Sequence, residues 1–357
     1  MSNKSLQLTT FSVKDLTQRK VVIFGAGGFG RNAFSLLEKH DINIHCFIDN
    51  NQSLHGECLY GKPIMSIDSI CHQNPRSHLI IVANSYYSEV KSQLTNLGFR
   101  EGKDFVNAIA FSIEEEHLEL KDRLWPFHNL HKGQRAFLIG NGPSLEMKDL
   151  DLLKNEITFA ANRIYLAYDK TDWRPSYYCV CDPLVSLHNK EKIKQLESIK
   201  FLANSTCFYG EEINNGFVLP YYYRNTSTDL SDPHFSTNPI QGIYDGGTVI
   251  YMMMQLAFYM GISELYLIGV DHNFVIKNDS QAILTGEGEN NHFDKAYRPY
   301  GETWSKPDCQ FIERAFSYSK EFLENNNRSV YNVSRQSKLR SFEMLNLETV
   351  LAPHRSS

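Results

Sequence analysis

Two stretches share one pattern: Lys20-Val-Val-Ile-Phe-Gly-Ala-Gly-Gly-Phe-Gly-Arg31 and Ala136-Phe-Leu-Ile-Gly-Asn-Gly-Pro-Ser-Leu145. In each, an apolar run breaks into a glycine-rich turn. A short, continuously apolar run bounded by turn residues is the pattern of a strand covered on both faces, as in parallel α/β sheets. Two such starts, separated by a polar segment, imply two α/β units in tandem rather than one continuous sheet. The length of 357 residues agrees, since it exceeds what one ordinary core supports.

In the first unit the strand enters Gly25-x-Gly27-x-x-Gly30, a helix is expected through Leu37, and a second strand, Ile44–Ile48, ends at Asp49. The acid falls close to the usual ~20 residues beyond the glycines, which completes a Rossmann fingerprint for a nucleotide. Strands at Tyr60–Ile64 and Leu79–Ala83 and a helix near Ser88–Leu97 fill out this unit, placed at residues 1–110. A polar connector follows at 111–135, whose run Glu114-Glu-Glu116 reads as a solvated helix face. The second unit spans 136–345, with a tail at 346–357.

The second turn reads as a phosphate cradle. A strand that runs through such a turn into a helix leaves unpaired N–H groups at the helix N-terminus, where the dipole also favours an anion. Gly140 and Gly142 permit close approach, Pro143 suits a first helical turn, Asn141 offers a donor and an acceptor, and Ser144 closes the motif. A plain strand–helix corner without ligand is the alternative.

Further strands end at Asn162-Arg163 and at Asp182-Pro183, and the strand Glu264–Val270 ends at Asp271-His272-Asn273. Ligands of parallel sheets bind beyond the carboxyl ends of the strands, so Asn141, Asn162 and Asp182 are expected to converge there. For each alone, an N-cap or Asx-turn is the competing role. Asp245-Gly246-Gly247-Thr248 forms a second donor cluster before an apolar, Met-rich helix reaching Met260. That helix is shorter than the ~20 residues a bilayer span needs and reads as core. The segment Pro220–Pro239, rich in turn formers and aromatics, reads as a lid or substrate loop.

Composition excludes several classes. A net charge of −5 gives no case for nucleic acid. The seven cysteines include one close pair, Cys179-Val-Cys181, which makes neither a zinc site nor a disulfide framework, so buried reduced thiols are expected. The first residues, Met-Ser-Asn-Lys-Ser-Leu-Gln, lack a signal peptide's apolar stretch. A cytoplasmic protein is the expectation, at the inner membrane face if the basic run Arg335–Arg340 meets an anionic lipid-linked acceptor. A solvated basic surface is the other reading of that run.

The glycine loop, Phe47-Ile-Asp-Asn50 and Gly61-Lys-Pro-Ile64 resemble the nucleotide-binding domain found in front of sugar acyltransferases, over about residues 18–108, which implies nucleotide-sugar or NAD-like binding. Gly140-Asn-Gly-Pro-Ser-Leu145, Asn162, Asp182-Pro183, Asp245-Gly-Gly-Thr248, Leu267-Ile-Gly-Val-Asp-His272, Asn291-His-Phe293 and Tyr331-Asn332 together resemble the MptE-like family over about residues 133–345. That family spans pterin diphosphokinases and proteins of bacterial surface-polysaccharide clusters, and is similar to Maf flagellin glycosyltransferases and to bacterial sialyltransferases. The sialyltransferase resemblance implies that Asn141 and Asn162 contact a cytidine nucleotide and its leaving phosphate, with Asp182 at a matching asparagine position. His292 matches the first histidine of those enzymes' Ser-His-Tyr-x-Gly-His setting, and the position of the second, catalytic one lacks a histidine.

Three functions are carried forward. The first is a glycosyltransferase using a nucleotide-activated sugar, most plausibly a CMP-linked nonulosonic or keto-sugar acid, with a glycan or lipid-linked acceptor of a lipopolysaccharide or other surface glycan. It needs no cofactor or metal. His292, which follows a glycine-rich loop Thr285–Asn291 able to close over the crevice when the donor binds, is favoured as general base, with His272 and Asp271 as alternatives. The second is an ATP-dependent pyrophosphokinase acting on a pterin alcohol, in which Asp182, Asp245 and Asp271 hold Mg2+. The third is a non-catalytic nucleotide-sugar-binding protein. An oligomer is compatible with each.

Overall fold

The computed structural model describes residues 8–71, 77–223, 232–274, 282–286, 288 and 290–352. Two parallel sheets organise it, one per unit. The first has six strands in the order Cys58–Leu59, Lys62–Met65, Ile44–Ile48, Lys20–Phe24, His78–Val82, Phe105–Asn107, antiparallel only at the Cys58–Leu59 edge. Alternate residues of its central strand serve opposite layers: Val21 and Ile23 join one apolar cluster, Val22 and Phe24 the other. This double coverage is why the run carries no polar residue after Lys20.

The second sheet has eight strands, all parallel, in the order Gly216–Leu219, Ile199–Ala203, Tyr177–Val180, Ile157–Ala161, Arg135–Ile139, Glu264–Ile268, Ser329–Asn332, Glu343–Met344. Chain order runs outward in both directions from the central pair Arg135–Ile139 and Glu264–Ile268, so the topological switch lies between them. Ala136 and Leu138 face one cluster, Phe137 and Ile139 the other. The first of these clusters contains the apolar helix Val249–Tyr259, capped by Thr248. Its one interior polar residue, Gln255, is fully employed. The side-chain oxygen accepts from the Ser236 and Tyr244 amides, and the nitrogen donates to the Tyr244 and Tyr251 carbonyls. The helix Cys309–Asn325 turns Phe311, Ile312, Ala315, Phe316 and Leu323 inward, as its amphipathic pattern predicts.

Several expectations change. Glu116, on the connector helix Glu114–Leu124, is not merely solvated: it accepts from Lys39 Nζ at 2.7 Å and meets His40 Nε2 at 2.8 Å, tying the connector to the first unit. Cys179 and Cys181 lie buried in one core cluster, as expected, whereas the free Cys58 thiol is exposed. Arg335 is no free basic surface group, because its guanidinium holds the fully buried Asp149 and also Glu348. Of the presumed lid at 220–239, residues 224–231 lie outside the described residues, whereas Tyr221–Tyr222 is buried and pairs in parallel with Ile243–Tyr244. The units also touch. Asn32 Nδ2 donates to the Thr206 carbonyl at 2.9 Å, and Phe29, beside the first glycine turn, meets the Tyr223 ring edge-on at 6.5 Å.

Candidate active site

The two central strands of the second sheet come together at their carboxyl ends because neither carries a side chain there. The Gly140 amide donates to the Ile268 carbonyl and the Gly142 amide to the Gly269 carbonyl, both at 2.8 Å. A Cβ on Gly140 would stand 2.4 Å from the Gly269 oxygen, which excludes any other residue. Beyond this junction opens a cavity of about 530 Å³, within the range of small-molecule sites.

The turn itself departs from the sequence expectation. It does not open directly into a helix: the next helix starts at Met147 and is only six residues long, so Pro143 is not in its first turn. Its donors are mostly spent within the protein. Besides Gly140 and Gly142, Ser144 N donates to Asp271 Oδ2 at 2.7 Å, Ser144 Oγ donates to Asp271 Oδ1, and Leu145 N donates to the Gly142 carbonyl. Burial raises the Asp271 carboxyl above its usual range, and the two Ser144 donors pull it back in part.

Most predicted site residues meet at this cavity. Gly140, Asn141, Gly142, Asn162, Asp182, Asp245, Gly247, Thr248, Asp271, His272 and His292 line it, while Ser144 and Gly246 do not. Asn141 Nδ2 donates to the Ala161 carbonyl at 3.0 Å, which fixes the amide so that its oxygen is the end left over. The side-chain oxygens of Asn141 and Asn162 are both buried without a hydrogen-bond partner among the described residues. Asn162 and His272 hold left-handed backbone, with φ of 54° and 49°. Such conformations outside glycine concentrate at functional sites.

The acids are partly occupied. Asp182 caps the helix Pro183–His188, its Oδ1 accepting from the Leu184 and Val185 amides. Asp245 Oδ1 accepts from the Gly247 amide at 2.7 Å and the Tyr221 hydroxyl at 3.1 Å. His272 Nε2 stands 3.1 Å from Glu313 Oε1. The His292 ring lies flat on Tyr297, with centroids 3.6 Å apart.

His292 belongs to a flap whose glycine-rich loop the sequence anticipates but whose two strands it does not. Strands Ile283–Thr285 and Thr303–Ser305 pair antiparallel, and the described parts of the intervening loop lie on the sheet ends. The Phe293 amide donates to the Asn141 carbonyl at 2.9 Å, Arg163 donates to the Tyr297 carbonyl and pairs with Glu302, and Lys170 pairs with Asp294. The expected glycine-rich loop 285–291 is part of this flap; Glu287 and Glu289 fall outside the described residues. The flap adds Tyr297, Arg298, Trp304 and Lys306 to the cavity wall, and Tyr221 and Tyr223 join from the sheet side. Only the Thr-Trp-Ser alternation hinted at a strand there.

Gly25, Gly27, Gly30 and Asp49 stay with the first sheet. Asp49 accepts from the Ala26 amide through Oδ2 and from the Asn51 amide through Oδ1, both at 2.9 Å, so its carboxylate braces the glycine loop. Among the described residues no helix is long and apolar enough to cross a membrane.

Residues 17–104 match the family model described as C2185-like, N-terminal. No curated protein matches the sequence. Among solved structures, a MAf glycosyltransferase from Magnetospirillum magneticum AMB-1 is similar over 92% of this chain and 58% of its own length, at 15% identity and a TM-score of 0.39. Residues 114–277, which carry the glycine turn, Asn162, Asp182, Asp245 and the Asp271-His272 strand end, match the family model described as 6-hydroxymethylpterin diphosphokinase MptE-like; the chain carries an MptE-like domain.

Proposed function

We propose that the protein is a glycosyltransferase that uses a nucleotide-activated sugar, with a CMP-linked keto-sugar acid as the first candidate donor. The observation that carries this reading is the 530 Å³ cavity at the switch point, lined by polar side chains from consecutive strand ends and covered by a pinned flap. The orphaned oxygens of Asn141 and Asn162 can only accept, so they suit ribose hydroxyls or a base amino group, not a phosphate. The Phe293 amide holds the flap to the Asn141 carbonyl, so the flap covers the asparagine that meets the nucleoside.

In the transfer, an acceptor hydroxyl oxygen bonds to the anomeric carbon as the bond from that carbon to the phosphate oxygen breaks. The electron pair leaves on the phosphate, and the acceptor's proton passes to a base. His272 fits that role better than His292, because Glu313 is placed to orient its ring, whereas His292 is held in a stack. Replacing a base lowers turnover by about 10²–10⁴-fold with little change in donor affinity. His272→Ala is expected to do so in transfer assays with a CMP-sugar. The same loss in His292→Ala, with His272→Ala active, reverses the assignment.

The family description favours a second reading, pyrophosphoryl transfer. It needs carboxylates that converge on Mg2+. Asp182, Asp245 and Asp271 each commit oxygens to protein donors, and among the described residues no three His, Cys, Asp or Glu side chains form a metal-holding group. A thermal-shift panel of CMP, CMP-sugars, UDP-sugars and ATP with Mg2+ separates the readings, since a ligand of the native state raises its melting temperature. Stabilisation by CMP that survives EDTA supports glycosyl transfer; stabilisation only by ATP with Mg2+ overturns it.

A further inference from the structure

The wall of the cavity is electrically divided. On the sheet side stand Asp182, Asp245 and Asp271, and the Asp271 carboxylate already takes the Ser144 donors of the glycine turn. The helix starts at the wall are occupied likewise: Asp182 caps Pro183–His188, Asp245 accepts the Gly247 amide before Val249–Tyr259, and Asp308 caps Cys309–Asn325. An anion pressed against that side meets spent amides and like charges. On the flap side, Arg298 and Lys306 are the lysine and arginine side chains that line the cavity among the described residues, and Asp308, two residues beyond Lys306 at the same wall, spends Oδ1 on the Phe311 amide.

Ring and backbone contacts fix both residues in the wall. The Arg298 guanidinium carbon lies 3.7 Å from the centroid of Trp304, which holds the group by cation–π contact, and the Lys306 amide is fixed to the Ala282 carbonyl at 2.9 Å. The hairpin neck is closed by the Gly286 amide on the Glu302 carbonyl and the Gly301 amide on the Gly286 carbonyl, both at 2.8 Å. Arg163 then ties the loop to the sheet through Tyr297 and Glu302.

We propose that the phosphate of the nucleotide donor is bound by the flap, through Arg298 and Lys306, and not by the Gly-Asn-Gly-Pro-Ser turn. The proposal rests on the nucleotide-sugar reading and adds a division of labour: the sheet side recognises the nucleoside, and the flap takes the charge that grows on the leaving phosphate.

Calorimetric titration of the full chain with cytidine and with CMP isolates the phosphate's share of affinity. Wild type is expected to prefer CMP over cytidine by about 30-fold or more, a preference that falls with ionic strength. In Arg298→Gln/Lys306→Gln that preference is expected to shrink to about threefold or less while cytidine affinity holds, and Arg298→Lys is expected to retain most of it. A melting curve for each variant checks folding, and the single variant Lys306→Gln, on a half-buried flap residue, provides a milder second case with a smaller loss in the same direction. If the double variant keeps the wild-type preference, the flap assignment is overturned and the nucleotide reading stands. If wild type binds neither compound, both fall.

Discussion

The two glycine turns stand at equivalent places, each at the end of a strand beside the switch in its parallel sheet, yet they are finished differently. The first leads directly into the 12-residue helix Gly28–Lys39, and its partner acid, Asp49, is drawn back onto the loop's own Ala26 amide. The second gives up its helix, ties its amides to the neighbouring strand and to Asp271, and is roofed by a flap from 130 or more residues further along the chain. The better-formed sequence fingerprint is therefore not the one beside the 530 Å³ cavity. A glycine pattern reports a backbone approach; what fills the space in front of it is decided by residues far away in sequence.

Glycine replacements break the comparison most sharply. A Cβ on Gly30 would stand 1.9 Å from the Gly25 oxygen, and one on Gly142 would stand 2.6 Å from Asp271 Oδ2. Each alanine variant is expected to lose about 3 kcal/mol in denaturant unfolding, by overpacking against backbone or a buried carboxylate. Nucleotide binding should survive Gly30→Ala in whatever fraction remains folded and vanish in Gly142→Ala. Gly27→Ala, with open space around the new methyl, is the control.

A smaller effect is expected from Arg163→Ala, which removes the buried tie to Tyr297 and Glu302. The cost, about 1–3 kcal/mol, should appear as faster amide exchange and easier proteolysis in residues 283–305, with the rest of the second sheet unchanged. Uniform protection throughout would mean that the flap is held without this arginine. The smallest change concerns Asp271→Asn. Because burial raises this carboxyl's folded-state pKa, its ionised form costs stability once pH exceeds that pKa, and the cost disappears below the unfolded value. The asparagine variant should therefore melt highest relative to wild type at neutral pH, with the difference closing as the solution is acidified through the carboxylate range.

Both sheets were legible because their strands are covered on two faces and so carry unbroken apolar runs, and the helix Cys309–Asn325 was legible from its apolar stripe. The strand-end polar residues followed from the rule that parallel sheets bind at their carboxyl ends. Arg163 was visible only as the neighbour of Asn162; its role depends on a carbonyl 134 positions away. The flap strands are three residues each with exposed ends, too short and polar to produce periodicity, and the direction of Arg298 is set by stacking that no local pattern encodes. The spent amides of the glycine turn were also hidden, since nothing local in the sequence marks Asp271, a candidate base or metal-holding acid, as their acceptor.

The crossing of Gly140 with Gly269 has a consequence for how such a chain can diverge. Each position is closed to side chains by the other's carbonyl oxygen, at 2.4 Å in one direction and 2.8 Å in the reverse. No single step away from glycine at either site relieves the other, so the pair has no compensating route through sequence space short of separating the two central strands. Among distant descendants whose ligands and flaps have all changed, these two positions should be the last to drift, and their joint presence is a better guide to kinship than overall identity.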